Sequence, residues 1–305
     1  MLKTFLWLVS NDGRFFQGAI TILERQHNGI DLVGVTANNP INIAFNGKKI
    51  PFVPLDKIDA VGGGVYDVLL VVGARQIGMS DITKAARQIK LPEEKLLGDW
   101  IVCIPGFTLD KYRRLQRSQL SILSINCFGG FISNTLGLPF RSPFVNLFLS
   151  GEDFLKFLRT PRIYLEYSPR FEKLTGTSKE APDGYPLCSL GDISLNMKHY
   201  KEPDDAIAKW NERKQRINWY NLLVIAITED KKILQEFDAL PYGKKNCFVP
   251  FKSDLDSAFY LNPAIDKAAK NFGDAFNRFA AGIGVFYYDP FDMLLYSKKT
   301  QLVDM

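Results

Sequence analysis

Apolar runs alternate with amphipathic stretches along the first hundred residues. A helix-period pattern predicts one helix that follows the turn Asn11-Asp12-Gly13 and ends near Leu23, and a second helix over 81–90. Strands are predicted at 4–9, 30–35, 50–53, 66–72 and 95–102. Because buried apolar strands alternating with helices are typical of a parallel, doubly wound sheet, residues 1–110 are predicted to form one α/β domain.

The same alternation resumes after a polar helical stretch at 111–118, which marks the predicted domain boundary. Helices are predicted over 131–136, 229–237 and 263–281, and from Pro203, a proline at the first helical position followed by acidic residues. Strands are predicted at 120–123, 163–167, 193–199, 221–228 and 246–250. Residues 118–305 are therefore predicted to form a second α/β domain with a largely parallel sheet and right-handed crossovers.

The segment Ser124-Ile-Asn-Cys-Phe-Gly-Gly-Phe131 places polar residues between a buried strand and a helix. Asn126 and Cys127 end the strand, and a double-glycine turn, Gly129 and Gly130, is predicted to open the helix. The free N–H groups of a helix start can bind an anion and lower the pKa of a nearby thiol. Glycine also lets a ligand approach the backbone closely. We therefore expect a functional site here.

Polar residues also follow two other predicted strands of the second domain. His199 and Tyr200 end one strand, and Thr228, Glu229 and Asp230 end another. Since ligands bind outside the carboxyl ends of parallel strands, these residues should meet Asn126 and Cys127 if all three strands share one sheet.

Three interpretations of Cys127 and His199 follow. The cysteine can be a nucleophile with His199 as its base and Asn126 or the glycine-turn amides stabilising an oxyanion, which suits acyl transfer or hydrolysis. Alternatively, His199 acts without the thiol as a general base or hydrogen-bond donor. In the third interpretation His199 is purely structural and is satisfied by a carboxylate or a carbonyl group. Asp192 is either a catalytic acid or an ordinary turn residue after Gly191.

Further residues are candidates for ligand binding, each with a structural alternative. Arg141 and Ser142 can bind phosphate or form a rigid surface loop. Tyr200 and Trp210 can stack on a sugar ring or pack in the core. Arg213 lies on the inward face of the helix after Pro203, where it needs a carboxylate such as Asp192 or an anionic group of the substrate.

Composition narrows the class of protein. The 305 residues carry a net charge of +5, and the basic patch Lys111, Arg113, Arg114 and Arg117 is typical of a solvated helix face, so nucleic-acid binding is not predicted. Four widely spaced cysteines and two histidines compose no recognisable metal site. The apolar runs are shorter than the ~20 residues of a transmembrane helix. We expect a cytoplasmic protein with reduced thiols, and the sequence indicates no particular cofactor or oligomeric state.

Two family resemblances extend these predictions. Residues 1–110 resemble the Rossmann-like domains of many sugar-modifying proteins. The resemblance rests on the strand–turn–helix at 4–23, the strand end at 35–40 and the segment 47–54. In those domains the first turn is a glycine-rich phosphate loop, whereas this turn is Ser10-Asn-Asp-Gly13 and lacks the G-x-G-x-x-G fingerprint. The domain is therefore either a scaffold without nucleotide binding or one that still binds a nucleotide-sugar or an acyl carrier.

Residues 118–295 resemble a bacterial family of exopolysaccharide biosynthesis proteins. The resemblance rests on Ser124–Phe131, Leu136-Gly-Leu-Pro-Phe-Arg-Ser-Pro-Phe144, Tyr185-Pro186, Leu190-Gly-Asp192, His199-Tyr200, Lys209-Trp210, Arg213, Arg216-Ile-Asn-Trp219, Leu240-Pro-Tyr242 and Asp289–Asp292. It implies a surface-glycan pathway and names no reaction. Two functions stay open: a transferase acting on a surface-polysaccharide or glycan precursor, and a non-catalytic module that binds a nucleotide-sugar or glycan.

Overall fold

The computed structural model describes residues 1–9, 13–26, 29–58, 66–73, 79–88 and 90–302. The chain divides into two compact units, Met1–Phe107 and Thr108–Met305. Both units combine helices with a parallel sheet, so the predicted α/β fold class is confirmed.

The first unit is built on a four-stranded parallel sheet. Its strands and those of a small hairpin are β1 (Leu2–Leu8), β2 (Ile30–Ala37), β3 (Ile43–Phe45), β4 (Lys48–Ile50), β5 (Val68–Val72) and β6 (Leu96–Gly98). The sheet order is β2-β1-β5-β6, while β3 and β4 pair antiparallel. The chain therefore crosses first to one side of β1 and then to the other, which is the pattern of a doubly wound sheet.

The helices of the first unit are α1 (Gly13–Gln26), α2 (Met79–Gln88) and α3 (Asp99–Val102), with short 3₁₀ turns at Leu55–Lys57 and Glu93–Lys95. The predicted strand at 95–102 is half wrong, because it becomes helical at Asp99. The turn at 10–12, predicted as a cap and compared with a phosphate loop, lies outside the described residues, as does His27.

The second unit contains two sheets. Its strands are β7 (Ser121–Ser124), β8 (Arg170–Thr175), β9 (Tyr185–Leu190), β10 (Ile193–Asn196), β11 (Leu222–Ile227), β12 (Lys245–Val249) and β13 (Ala258–Tyr260). One sheet, in the order β13-β12-β11-β7, is parallel throughout. The other, in the order β10-β9-β8, is antiparallel.

The helices of the second unit cover the parallel sheet and connect the two sheets. They are α4 (Leu109–Arg117), α5 (Phe128–Thr135), α6 (Gly151–Arg159), α7 (Pro161–Glu166), α8 (Pro203–Lys214), α9 (Lys231–Asp238), α10 (Phe272–Ala280) and α11 (Pro290–Tyr296). Proline is at the start of α8, as predicted. The helix predicted over 263–281 begins only at Phe272, where Asn271 caps it.

One predicted strand of the second unit is a helix, and another belongs to a different sheet from the predicted one. Residues 161–166 form α7, which starts at Pro161, and a short apolar run such as this does not distinguish a helix from a strand. The strand predicted over 193–199 ends at Asn196 and pairs antiparallel with β9, so it does not belong to the parallel sheet. Gly191, with φ of +63°, and Asp192 form a two-residue hairpin turn between β9 and β10.

Candidate functional site

A cavity of about 530 Å³ opens at the carboxyl ends of β7 and β11. Ile125 follows β7 and Ile227 ends β11, so the cavity lies at the sheet edge where α/β proteins bind ligands. Its lining residues come from several separate segments: Ile125, Asn126, Cys127, Phe131, Phe148, Leu149, Gly151, Lys198, His199, Ile227 and Asn277. The structure thus brings three of the predicted site residues, Asn126, Cys127 and His199, into one cavity.

His199 reaches this cavity by a route that differs from the predicted one. A strap at 146–149 joins the two sheets: Leu149 N–H donates to Ile125 O (2.9 Å) beside β7, and Phe148 pairs with Asn196 at the end of β10. His199 N–H donates to Asn146 O (3.2 Å) on the same strap. The segment of His199 and the segment of Cys127 are therefore connected through the strap. They are not neighbouring strands of one parallel sheet.

The start of α5 uses its amides internally. Phe128 N–H donates to Asn126 Oδ1 (3.0 Å), and Gly129 N–H donates to Ser124 Oγ (3.0 Å). Helix α5 begins at Phe128, so both glycines lie within its first turn. We expected the amides of the glycine turn to bind an anion. For these two N–H groups the prediction is wrong, because each already has a hydrogen-bond partner.

Cys127 is a buried thiol with 6% of its surface exposed. Its Sγ donates to Leu147 O (3.6 Å). Burial raises the pKa of the Cys127 thiol to about 11. The expected lowering of this pKa by the helix start is therefore wrong, and at neutral pH the thiol is protonated.

His199 is held by a carboxylate that the sequence analysis missed. His199 Nδ1 lies 2.9 Å from Glu180 Oε2, and the two side chains are 24% and 45% exposed. The hydrogen bond from His199 lowers the pKa of Glu180, so the carboxyl group is ionised. Nε2 has no hydrogen-bond partner among the described residues and is not a buried atom. The second ring nitrogen of His199, a residue of the cavity lining, is thus free to bond to a ligand.

The other polar groups of the cavity include two donors and one acceptor without a described partner. Lys198 is exposed and forms no ion pair with a described residue, and the Nδ2 atom of Asn126 has no described partner and is not buried. Asn277 contributes a second amide, whose Oδ1 is buried without a partner. Among the described residues that line the cavity there is no Asp or Glu. Lys198 and Asn126 Nδ2 therefore suit a ligand group that carries or develops negative charge, whereas Asn277 Oδ1 suits a hydrogen-bond donor of the ligand.

Asp192 lies away from this cavity. It accepts hydrogen bonds from Tyr164 OH (2.6 Å) and from Lys156 Nζ (3.1 Å), and the Tyr164 hydrogen bond is the main cause of its lowered pKa. Asp192 is thus the turn residue of a hairpin and does not line the cavity.

Tyr200, Trp210 and Arg213 form a packed group behind the cavity wall. Arg213 donates to Tyr200 Oη (2.8 Å) and lies over the Phe140 ring, so its predicted pairing with Asp192 is wrong. Tyr200 OH donates to Val145 O (3.3 Å), and burial raises its pKa. Trp210 is 2% exposed and packs against Phe144 in the core. None of these three residues lines the cavity.

Gly129, Gly130, Arg141 and Ser142 also lie outside the cavity lining. A Cβ atom on Gly129 would come within 2.8 Å of Ser124 Oγ, and one on Gly130 within 3.1 Å of Val145. These glycines therefore permit close packing of α5. Gly129, Arg141 and Ser142 line a separate cleft of about 10 Å³, roughly the space of one water molecule.

Sequence reasoning did not find Lys198 and Asn277, which line the cavity, or Glu180, which contacts His199. Lys198 precedes a predicted site residue, so its position was a usable signal. Glu180 lies in the loop between β8 and β9, and Asn277 lies on α10, more than 70 residues after His199 in the printed sequence. No local pattern connects either residue with the segment around Cys127.

Comparisons with known proteins give one family, one relative and one solved structure to report. Residues 102–298 match the family described as "Domain of unknown function (DUF1919)". A Haemophilus influenzae protein described as "Uncharacterized protein" is 35% identical over 185 residues, which are 59% of this chain and 84% of that protein. A Vibrio cholerae structure, aspartate semialdehyde dehydrogenase II complexed with ASA, is 9% identical and covers 80% of this chain and 68% of its own, with a TM-score of 0.24. That last likeness carries no argument about function.

The family match contains every residue of the cavity lining. In the described part of the chain, no helix is long and apolar enough to cross a membrane. Nor do the described residues include a cluster of three or more His, Cys, Asp or Glu side chains placed to hold a metal ion.

Proposed function

Because this chain belongs to the family described as "Domain of unknown function (DUF1919)", we propose a function from its cavity: the unit Thr108–Met305 is a transferase acting on a surface-polysaccharide or other glycan precursor. The observation that carries this proposal is the contact between His199 Nδ1 and Glu180 at the cavity, which leaves Nε2 open. An imidazole held in this way is a general base.

The protonation of His199 follows from its partner. An ionised carboxylate only accepts hydrogen bonds, so Nδ1 carries the proton when it bonds to Glu180. The lone pair is then on Nε2, where it can take a proton from a hydroxyl group of the acceptor. Glu180 stabilises the imidazolium that forms.

The size of the cavity and its walls support a small organic ligand. A volume of about 530 Å³ falls within the range of small-molecule sites, and most lining side chains are apolar. Glycan precursors offer many hydroxyl groups for a base to activate. The glycan acceptor itself rests on the resemblance of residues 118–295 to exopolysaccharide biosynthesis proteins.

A non-catalytic module that binds a nucleotide-sugar or glycan is the second candidate. It is favoured by the state of Cys127, since a buried thiol with a pKa of about 11 supplies no nucleophile at neutral pH. A binding module needs the cavity and Lys198 but has no use for an oriented base.

The two candidates differ in the effect of replacing His199. We would measure thermal shifts and donor cleavage with two probes, UDP-glucose and acetyl-coenzyme A, for the wild type and for His199→Gln. A transferase should cleave one probe slowly with water as acceptor. His199→Gln should lower that rate by about 10²–10⁴-fold with little change in the thermal shift.

Asp192→Asn is the matched control, since it removes a charge outside the cavity and should leave the rate unchanged. Binding of a probe without cleavage of either would establish the module and contradict the transferase. Cleavage that survives in His199→Gln would also contradict the proposed base.

A further inference from the structure

The sign of the charges around His199 bears on which group is transferred. Lys198 Nζ and Asn126 Nδ2 are hydrogen-bond donors without a described partner, and no lining residue among those described carries a carboxylate. The Glu180 carboxylate beside the lining is already engaged by His199 Nδ1. We infer that the transferred group is an acyl group whose carbonyl oxygen is held by Asn126 Nδ2. This inference rests on the proposed function and specifies its donor.

Acyl, glycosyl and phosphoryl transfer make different demands on a cavity. Acyl transfer develops negative charge on a carbonyl oxygen and needs donors near it. Glycosyl transfer develops positive charge on the sugar ring and uses carboxylates beside it. Phosphoryl transfer needs several cations around the phosphate. A lining with one lysine, amide donors and no carboxylate fits acyl transfer best.

Asn126 is prepared for this role by its own turn. Its Oδ1 accepts from Phe128 N–H at 3.0 Å, which fixes which end of the amide is oxygen. The Nδ2 end is free of described partners and is not buried, and Asn126 lines the same cavity as His199. Because the amides of Phe128 and Gly129 are occupied, this side chain supplies the donor that the glycine turn was expected to supply.

The apolar part of the lining suits the remainder of an acyl donor. Phe131 lies on α5, Phe148 and Leu149 are consecutive on the strap at 146–149, and none of the three offers a hydrogen-bonding side chain. Such walls accommodate an acyl chain or the arm of its carrier. The two basic residues of the lining, Lys198 and His199, are adjacent in the chain.

Acyl transfer from a thioester donor to a hydroxyl group needs no further reactant. His199 Nε2 takes the proton of the acceptor hydroxyl, whose oxygen bonds to the carbonyl carbon. The π electrons move to the carbonyl oxygen, which Asn126 Nδ2 stabilises. When the C=O bond re-forms, the C–S bond breaks and the thiolate takes the proton from His199. The products are an ester and a free thiol, or an acid and a thiol when water is the acceptor.

The test uses S-acetyl-N-acetylcysteamine as the probe, with the full chain and chromatographic detection of the released thiol. Asn126→Ser and Asn126→Asp keep an oxygen that can accept from Phe128 N–H but remove the Nδ2 donor. We expect kcat to fall by about 10²–10³-fold in both variants, with KM nearly unchanged. The Tm should stay within about 3 °C of the wild type.

Lys111→Met is the structural control, because it removes the cation beside the buried Asp289 carboxylate and Lys111 does not line the cavity. It should lower the Tm and leave kcat unchanged. Equal kcat in the wild type and both Asn126 variants would overturn the role of Asn126. Cleavage of UDP-glucose but not of the thioester, dependent on His199, would overturn acyl transfer while the proposed transferase stands. Cleavage of neither probe would contradict both.

Discussion

The hydrogen bond from Phe128 N–H to Asn126 Oδ1 assigns different roles to two adjacent residues. Asn126 closes the turn with one end of its amide and presents the other end to the cavity. Cys127, the more reactive residue type, is buried against Leu147 O and protonated. At the scale of single residues, the sequence predicted that Asn126, Cys127 and His199 come together, but not their burial or hydrogen bonds, because these depend on contacts from distant segments.

The state of the Cys127 thiol gives a prediction about pH. Only the thiolate reacts with iodoacetamide, and a pKa of about 11 leaves about one thiol in 10³ ionised at pH 8. The alkylation rate of Cys127, followed by peptide mass spectrometry, should therefore rise about tenfold per pH unit up to about pH 11. A rate that levels off below about pH 8.5, the ordinary thiol range, would mean that the cysteine is activated after all. Cys103, half-buried with a pKa raised to about 12, is the internal comparison.

At the scale of elements, the hairpin between β9 and β10 shows what sequence patterns could and could not provide. The Gly191-Asp192 pair between two alternating runs is a hairpin signal that was available in the sequence. The run from Ile193 was predicted to be a strand of the parallel sheet, which is wrong. His199 nevertheless lines the same cavity as Asn126 and Cys127, as predicted. The strap at 146–149, which connects the two sheets, has no sequence signature, since its pairing depends on partners far along the chain.

Helices α4 and α11 are joined by a charged cluster that the basic patch did not reveal. Lys111 Nζ lies 2.7 Å from Asp289 Oδ2 and 2.8 Å from Asp292 Oδ1. The Asp289 side chain is only 4% exposed, and its Oδ1 also accepts from Phe291 N–H. Lys111 is thus a structural residue and not part of a solvated face.

Replacing Lys111 should therefore destabilise the second unit. Lys111→Met leaves the buried Asp289 carboxylate without its cation and should lower the free energy of unfolding by ~2–4 kcal/mol. Lys156→Met, which breaks an exposed pair with Asp192, should cost less than ~1 kcal/mol. Denaturant titration monitored by circular dichroism measures both. Equal effects of the two variants would contradict the structural role of Lys111.

At the scale of the whole molecule, the cavity depends on the assembly of segments spread over more than half of the second unit. The carboxyl ends of β7 and β11 were predictable from apolar runs, and they fix one edge of the cavity. Glu180 and Asn277 come from a loop and a helix whose packing no local pattern specifies. The family match over residues 102–298 covers this whole assembly.

The central claim is that Glu180 fixes the proton of His199 on Nδ1 and leaves Nε2 as the base. The chain has only two histidines, so ¹⁵N–¹H correlation spectra of histidine-labelled protein contain two rings, and a His27→Gln variant assigns them. For neutral His199 we predict the Nδ1–H tautomer in the wild type and a mixture of tautomers in Glu180→Gln, whose amide both donates and accepts. A neutral His199 with its proton on Nε2 in the wild type would contradict the claim, because that nitrogen could not then accept a proton.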